Sequence, residues 1–552
     1  MSDVAPRAVS LATAAGKPAV EQPVGTGASV PANPTPLEGV VLSAAGCEYE
    51  ATPEVRRMLV YTSKGLFVSP KHRTDLHVIS YMERLRVAGA PFRHYPASID
   101  EITAAYGAHR RHGRDAESGE ASGHANSDEQ RRIVDLMEEG LQSDASDVHF
   151  IINRDHCDIR FRILGELETR HGYTRDVGMR LVSSLYGSMC DVAQQTFNVN
   201  ASQDARLNAV FTESLGLYGA RVATRPTHDG LLMVLRLLKS DSRIMNRIEL
   251  GFLPQQDALF EEMAARTYGM SLIVGPTGSG KSRTLQATMS GIVERERGRI
   301  NLITVEDPPE YPIPGAVVTP LKVKDRSDPT AVSRAWRESI SNAMRLDPDV
   351  IMVGEIRDAD SANMGFAAAM TGHGVWGTLH ANDATSAAER LIDINVERAK
   401  VTDPTLLVGL SAQRLVPVLC PDCKIPLGIG KQRLPAITHQ RLLAVTPPEL
   451  LSRIYVRGDG CAKCRKRGIV ARHPVVEAIV PTVPFMDEFT SGGKLQARRY
   501  WVNHMNGITM LRHALHLVWQ GIVDPCSAED VAPLDTDLHL LGVNYATSRQ
   551  LV

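Results

Sequence analysis

No apolar run in the 552 residues approaches the roughly 18 that a membrane-crossing helix needs. The opening stretch, MSDVAPRAVSLATAAGKPAVEQPVG, has no continuous apolar core of the kind a secretory signal requires. The chain is therefore expected to stay in the cytoplasm. Charge of one sign is also lacking: 61 Lys and Arg against 63 Asp and Glu leave a formal net charge of -2. No global positive field draws the protein to nucleic acid or anionic lipid, and no stripe of interleaved aromatic and basic residues offers a single strand a platform to stack on. No nucleic-acid partner is expected. Cysteine is scarce, and four of the eight fall into two C-x-x-C pairs, which in a cytosolic chain points to metal more than to disulfide.

What is present is a chain with 43% hydrophobic and 22% charged residues, a globular balance long enough for several domains. Residues 1–38 lack any periodic pattern and end in Pro31, Pro34 and Pro36, so a disordered tail is expected. Residues 39–112 form a segment whose role the pattern does not reveal. The small polar run 113–128 is expected to be a linker. Ser127 with Gln130 forms a capping-box pattern ahead of Ile133, Leu136, Met137 and Leu141, which predicts a helix. Strands are expected around Val148–Ile152, Asp158–Ile163 and Gly230–Leu238 in an α+β domain over 129–245. From 246 to 552, short apolar runs at Leu272–Val274, Leu302–Val305, Val350–Val353 and Val375–Leu379 alternate with helical segments, the pattern of an α/β parallel sheet.

The first of these runs leads straight into Gly275-Pro276-Thr277-Gly278-Ser279-Gly280-Lys281-Ser282, with Thr284 one turn on. Glycines let successive backbone amides converge on an anion, and the following helix adds its positive end. In this phosphate-binding loop Lys281 would reach the β- and γ-phosphates of ATP and Ser282 would hold Mg2+. Two strand ends supply carboxylates suited to metal binding or base catalysis, Glu306-Asp307 after the second run and Glu355 after the third. His373 and His380 flank the fourth run. Cys420, Cys423, Cys461 and Cys464 offer four thiolates for a closed zinc site, Zn2+ holding a lobe over about 415–475. Cys47, Cys157, Cys190 and Cys526 are expected to be small buried hydrophobes.

Taken in order, the phosphate loop, Val305-Glu306-Asp307-Pro308, Leu346-Asp347-Pro348-Asp349, Gly354-Glu355-Ile356-Arg357-Asp358 and Thr371–Asn382, followed by the two cysteine pairs, resemble the secretion ATPases of type II secretion and type IV pilus assembly. The resemblance covers roughly residues 128–480. It implies a RecA-like ATPase domain preceded by a smaller α+β domain and carrying a zinc lobe. It also implies a homo-hexamer, peripheral at the inner membrane, that pushes an inner-membrane platform protein. In this family Arg221 and Arg236 resemble arginines of the preceding domain that contact phosphate, and Glu306, Glu355 and His380 resemble catalytic positions. The cysteine pairs resemble assembly motors rather than retraction motors. Two departures stand out: Ser341 replaces an arginine often found four residues before Arg345, and Leu164 replaces a common acidic residue before Gly165. A nucleic-acid translocase and a scaffold that binds ATP without hydrolysis are the competing readings.

Overall fold

The structure is a computed structural model describing residues 39–106 and 122–547, except 45, 46, 48, 91, 192–195, 240–242, 324, 325 and 327. The chain divides into two units, one ending at Gly123 and one beginning at His124. The tail expected over 1–38 and most of the expected linker lie outside the described residues.

In the first unit, strands β1 (Leu59–Thr62), β2 (Gly65–Val68) and β3 (His94–Pro96) form a small sheet. All eight residues of β1 and β2 are buried, and helix Leu76–Val87 adds Val78, Tyr81 and Leu85 to the core.

All but the first two residues of helix Ser122–Gln142 belong to the second unit. This corrects the expected start: Ser127 lies inside the helix rather than capping it. Ala carries no helix penalty, Ser and Asn up to about 0.7 kcal/mol and Gly about 1 kcal/mol, so a polar run does not exclude a helix when its continuation packs on a core. Here Ile133, Leu136 and Met137 are buried. A six-stranded antiparallel sheet follows, in the order β6-β5-β4-β9-β8-β7. Its strands are β4 (Ala145–Ile152), β5 (His156–Ile163), β6 (Glu166–Thr174), β7 (Gln203–Arg206), β8 (Leu217–Thr227) and β9 (Gly230–Lys239). Val148, Phe150, Ile159, Phe161, Leu235 and Leu237 pack on one face with helix Arg175–Ser188. That alternation leaves the other face to polar residues.

The larger sheet runs β12-β11-β13-β14-β10-β15-β18. It is built from β10 (Gly269–Val274), β11 (Leu302–Glu306), β12 (Ala316–Pro320), β13 (Val350–Val353), β14 (Gly374–Leu379), β15 (Leu407–Leu419) and β18 (Ile469–Ile479). Every pair is parallel except the antiparallel edge pair β15–β18. All residues of β10, β11 and β14 are buried, as a sheet covered on both faces requires. Each fully buried aliphatic side chain contributes about 1.5–3 kcal/mol, which is why these short runs form strands without alternation. This is the RecA-like parallel sheet with a preceding α+β domain. Between β15 and β18 the chain makes a small lobe whose own pair is β16 (Ile425–Pro426) with β17 (Tyr455–Val456). Among the described residues, no helix is long and apolar enough to cross a membrane.

Candidate nucleotide cleft and four-cysteine site

Because its strands run parallel, the sheet brings the carboxyl ends of β10, β11, β13 and β14 to one edge, where such sheets bind ligands. The loop after β10 turns through Gly275, Gly278 and Gly280, all at positive φ. A Cβ at Gly275 would lie 2.4 Å from the Gln413 carbonyl oxygen, so only glycine fits that turn. Helix Lys281–Arg295 starts there. Gln413, on β15, supports the loop through a 2.8 Å bond from its side-chain amide to the Ser279 carbonyl. Lys281 Nζ donates to the carbonyls of Gly275 at 2.7 Å and Pro276 at 3.0 Å. Burial holds its ammonium below the usual lysine range, opposed by the charges of Glu355 and Glu310.

A cleft of about 880 Å³ lies over this loop, lined by Thr277–Gln286 of the core and by Arg162, Arg221 and Arg236 of the preceding domain. Ser282 and Thr284 both line it. Four polar atoms of its walls, Ser279 Oγ, Gln413 Oε1, Trp336 Nε1 and Arg221 Nε, are buried without a hydrogen-bond partner among the described residues. A buried donor left unmade costs about 1–3 kcal/mol, so these donors and acceptors suit a polar ligand.

Glu306 ends β11 and is 7% exposed. Burial pushes its carboxyl up to about 7, against a 2.8 Å hydrogen bond donated by Thr304 Oγ1. Glu355 follows β13 and pairs with Arg357 at 2.6 Å and with His380 Nε2 at 3.0 Å. The two carboxylates, His380 and the phosphate loop therefore share one cleft. His373 does not join them. It precedes β14, at the opposite end of the strand from His380, and bonds Thr371 Oγ1 at 3.0 Å and the Ala368 carbonyl at 3.1 Å.

The preceding domain presents a transverse row. Arg206 on β7 pairs in register with Arg221 on β8, Arg221 with Arg236 on β9, Arg236 with Asp147 on β4, and Asp147 with Arg162 on β5. Directly opposed residues share a face, so this row is the polar counterpart of the apolar face below it. Arg221 Nη2 donates to the Asp307 carbonyl of the core, and Arg206 lies 3.4 Å from the Asp307 carboxylate. Arg326 binds the same carboxylate with both nitrogens, at 2.7 and 2.9 Å. Against the upward push of burial, the guanidiniums of Arg326, Arg221 and Arg206 hold the Asp307 carboxyl below its usual range. Arg236 instead holds Asp147 of its own domain at 2.9 Å.

Arg206, Arg326 and Gln413 were not singled out from sequence. The equal spacing of 206, 221 and 236 was the available signal for Arg206, but reading it needs the register of β7. Nothing in the pattern around Arg326 or Gln413 marks them.

In the lobe, the sulfurs of Cys420, Cys423, Cys461 and Cys464 all lie within 4.8 Å of one another. Contacts of 3.7 Å for Cys420–Cys461 and 3.8 Å for Cys423–Cys464 and Cys461–Cys464 match the edges of a tetrahedron. A metal–sulfur distance of about 2.3 Å gives edges of about 3.8 Å, whereas a disulfide needs about 2.05 Å. Backbone N–H groups of Cys461 and Gly468 donate to Cys464 Sγ at 3.1 and 3.2 Å. The four thiols thus form a site able to hold a metal ion. Of the other cysteines only Cys157 is fully buried; Cys47, Cys190 and Cys526 are half-buried, which corrects the expectation for those three.

Residues 125–531 match the family model described as type II/IV secretion system protein. The chain is 34% identical over 357 residues to the type II secretion system protein E of Pseudomonas aeruginosa, covering 63% of this chain and 65% of that protein. It is 34% identical over 350 residues to the type II secretion system ATPase E of Vibrio cholerae, covering 62% and 64%. With the type IV pilus assembly ATPase PilB of Thermus thermophilus it shares 33% over 353 residues, 64% of this chain and 37% of that one. The chain thus spans about two thirds or less of the length of these relatives. Among solved structures, the Legionella pneumophila ATPase DotB superposes with a TM-score of 0.49 at 21% identity, covering 72% of this chain and 94% of that one.

Proposed function

From the premise that this chain belongs to the type II/IV secretion system protein family, we propose that it is a motor that hydrolyses ATP to power pilus assembly or protein secretion. The observation that carries the reading is the cleft itself. A phosphate loop, two carboxylates and a row of arginines from a second domain face one space.

Lys281 would exchange its two loop carbonyls for the β- and γ-phosphates, offsetting charge that develops on the transferred phosphoryl group. Residues Gly275–Ser282, with Thr284 behind them, form the phosphate cradle. Ser282 would hold magnesium, which supplies charge neutralisation to the phosphates. Glu355, paired with Arg357 and His380, would take the proton of the attacking water, with Glu306 as its buried partner carboxylate. Arg221 and Arg236 approach from the domain that moves, so their phosphate contacts exist only while that domain is closed, which couples chemistry to motion. The four thiolates would hold zinc as a closed structural site. The working assembly is a homo-hexamer at the cytoplasmic face of the inner membrane, acting on a platform protein.

ATP turnover by the full chain, with and without DNA, tests the reading. Hydrolysis that DNA does not stimulate and that Lys281→Ala abolishes, with folding intact by circular dichroism, is the expected result. Turnover by Lys281→Ala within about twofold of the unmodified protein overturns it.

A further inference from the structure

Two sets of contacts join the two domains that line the cleft. One is the Asp307 cluster, where Arg206 and Arg221 reach the core. In the other, β6, the edge strand of the preceding sheet, meets the cysteine lobe. Glu166 receives both terminal nitrogens of Arg457, at 2.5 and 2.9 Å. Glu168 receives Nε of Arg467, and its second oxygen accepts from Nη2 at 3.1 Å. Both pairs are bidentate, the geometry in which arginine–carboxylate contacts are strongest. The Arg467 side chain is only 11% exposed, which removes much of the solvent screening that weakens surface pairs.

The two arginines are themselves fixed by the metal site. Arg467 follows the ligand Cys464 by three residues and donates its backbone N–H to the Cys464 carbonyl at 3.1 Å. Arg457 Nε donates to the Arg467 carbonyl at 2.8 Å. Its backbone N–H donates to Asp524 Oδ2 at 2.5 Å. Gly458 seals the turn, because a Cβ there would stand 1.9 Å from the Cys423 carbonyl oxygen. The lobe is thus a hydrogen-bonded mount that presents two guanidiniums to two glutamates on one edge strand.

We propose that Arg457 and Arg467 are positioning residues. Through Glu166 and Glu168 they clamp the preceding domain over the nucleotide cleft, so that the metal lobe sets domain closure as well as local folding. The proposal rests on the ATP-motor reading for its kinetic consequence, and on the ion pairs alone for its structural one. A clamp of this kind acts on the arrangement in which Arg206 and Arg221 reach the core, so its loss lowers kcat more than it raises KM. A lobe that only stabilises itself would leave both unchanged once folded.

The test compares Glu166→Lys/Glu168→Lys, which leaves the lobe untouched, with the fourfold exchange that adds Arg457→Glu and Arg467→Glu. The readouts are kcat and KM for ATP, metal content, and energy transfer between one dye on the preceding domain and one on the core. The expected result for the double variant is an inter-domain distance that lengthens or broadens. Its kcat falls about fivefold or more, as for a lost pair of charge-assisted contacts. Metal content is unchanged, and the fourfold exchange restores both distance and kcat. Unaltered energy transfer overturns the clamp, as does a defect that the fourfold exchange does not rescue. If the unmodified protein binds no ATP, the motor reading fails, while the energy-transfer arm still decides the clamp.

Discussion

The core wall of the cleft carries Lys281, Glu306 and Glu355 at or just past the ends of parallel strands, whereas the facing wall carries its arginines across the middle of an antiparallel sheet. On the core side each group is set by its own strand end and by close partners: Lys281 by two loop carbonyls, Glu306 by Thr304, Glu355 by Arg357 and His380. On the facing side the row depends on the register of five strands, and Arg206 and Arg236 stay part-exposed, at 38% and 42%. In the proposed motor this difference separates two tasks. Groups that take part in chemistry gain from being fixed before the substrate arrives. Groups that report domain position must be free to change partners.

The largest expected effect breaks the core wall. Glu355→Gln and Glu306→Gln should each lower turnover by roughly 10²-fold or more while ATP binding survives, the scale of general acid-base groups. Quenched-flow turnover beside equilibrium nucleotide binding checks this, and normal hydrolysis by either variant reduces that residue to a strand-end charge. The pH dependence sharpens the assignment. Burial raises the Glu306 carboxyl from 4.5 to about 7, so the folded protein holds a proton there that the unfolded chain has lost. Stability contributed by this site therefore falls as pH rises from 4.5 through 7, and the charged form needed for base work appears only above it. Thermal unfolding of Glu306→Gln should show a gain over the unmodified protein at pH 8 that disappears near pH 4.

A smaller effect is expected from the facing wall. Arg221→Ala should lower turnover by about tenfold or more and weaken ATP binding only a few-fold, because its contacts belong to the closed state. Arg236→Ala should act in the same sense but less, since Arg236 is bound to Asp147 of its own domain. Equal, strong losses of binding in both variants would show that the arginines hold the nucleotide rather than sense closure.

The smallest effect on chemistry, and the largest on folding, is expected at the lobe. Close to one zinc per chain should be found by elemental analysis of protein purified without chelator, and Cys420→Ser or Cys461→Ser should expose residues 415–475 to protease. Absence of bound metal would leave the four thiols as a packed cluster only.

By itself the sequence determined the parts whose chemistry is local. The phosphate loop, the strand-end glutamates and the cysteine pairs are each read within a few residues, because glycine turns, short apolar runs and C-x-x-C spacing act over that range. Val350–Val353 was legible to the residue, since a short, largely β-branched apolar run between turn residues is how a strand with nearly every residue buried is written. The helix start at Ser122 was not, because its polar first turns carry no periodic signal. Nor was β6, whose alternation of half-buried and exposed residues lacks an apolar face. Tertiary structure alone decided which arginines stand together, that Arg206 and Arg326 meet Asp307, and that Glu166 and Glu168 face the lobe. Each of these depends on strand register or on contacts between residues about 20 to 300 positions apart, and no local pattern in a single sequence encodes such distances.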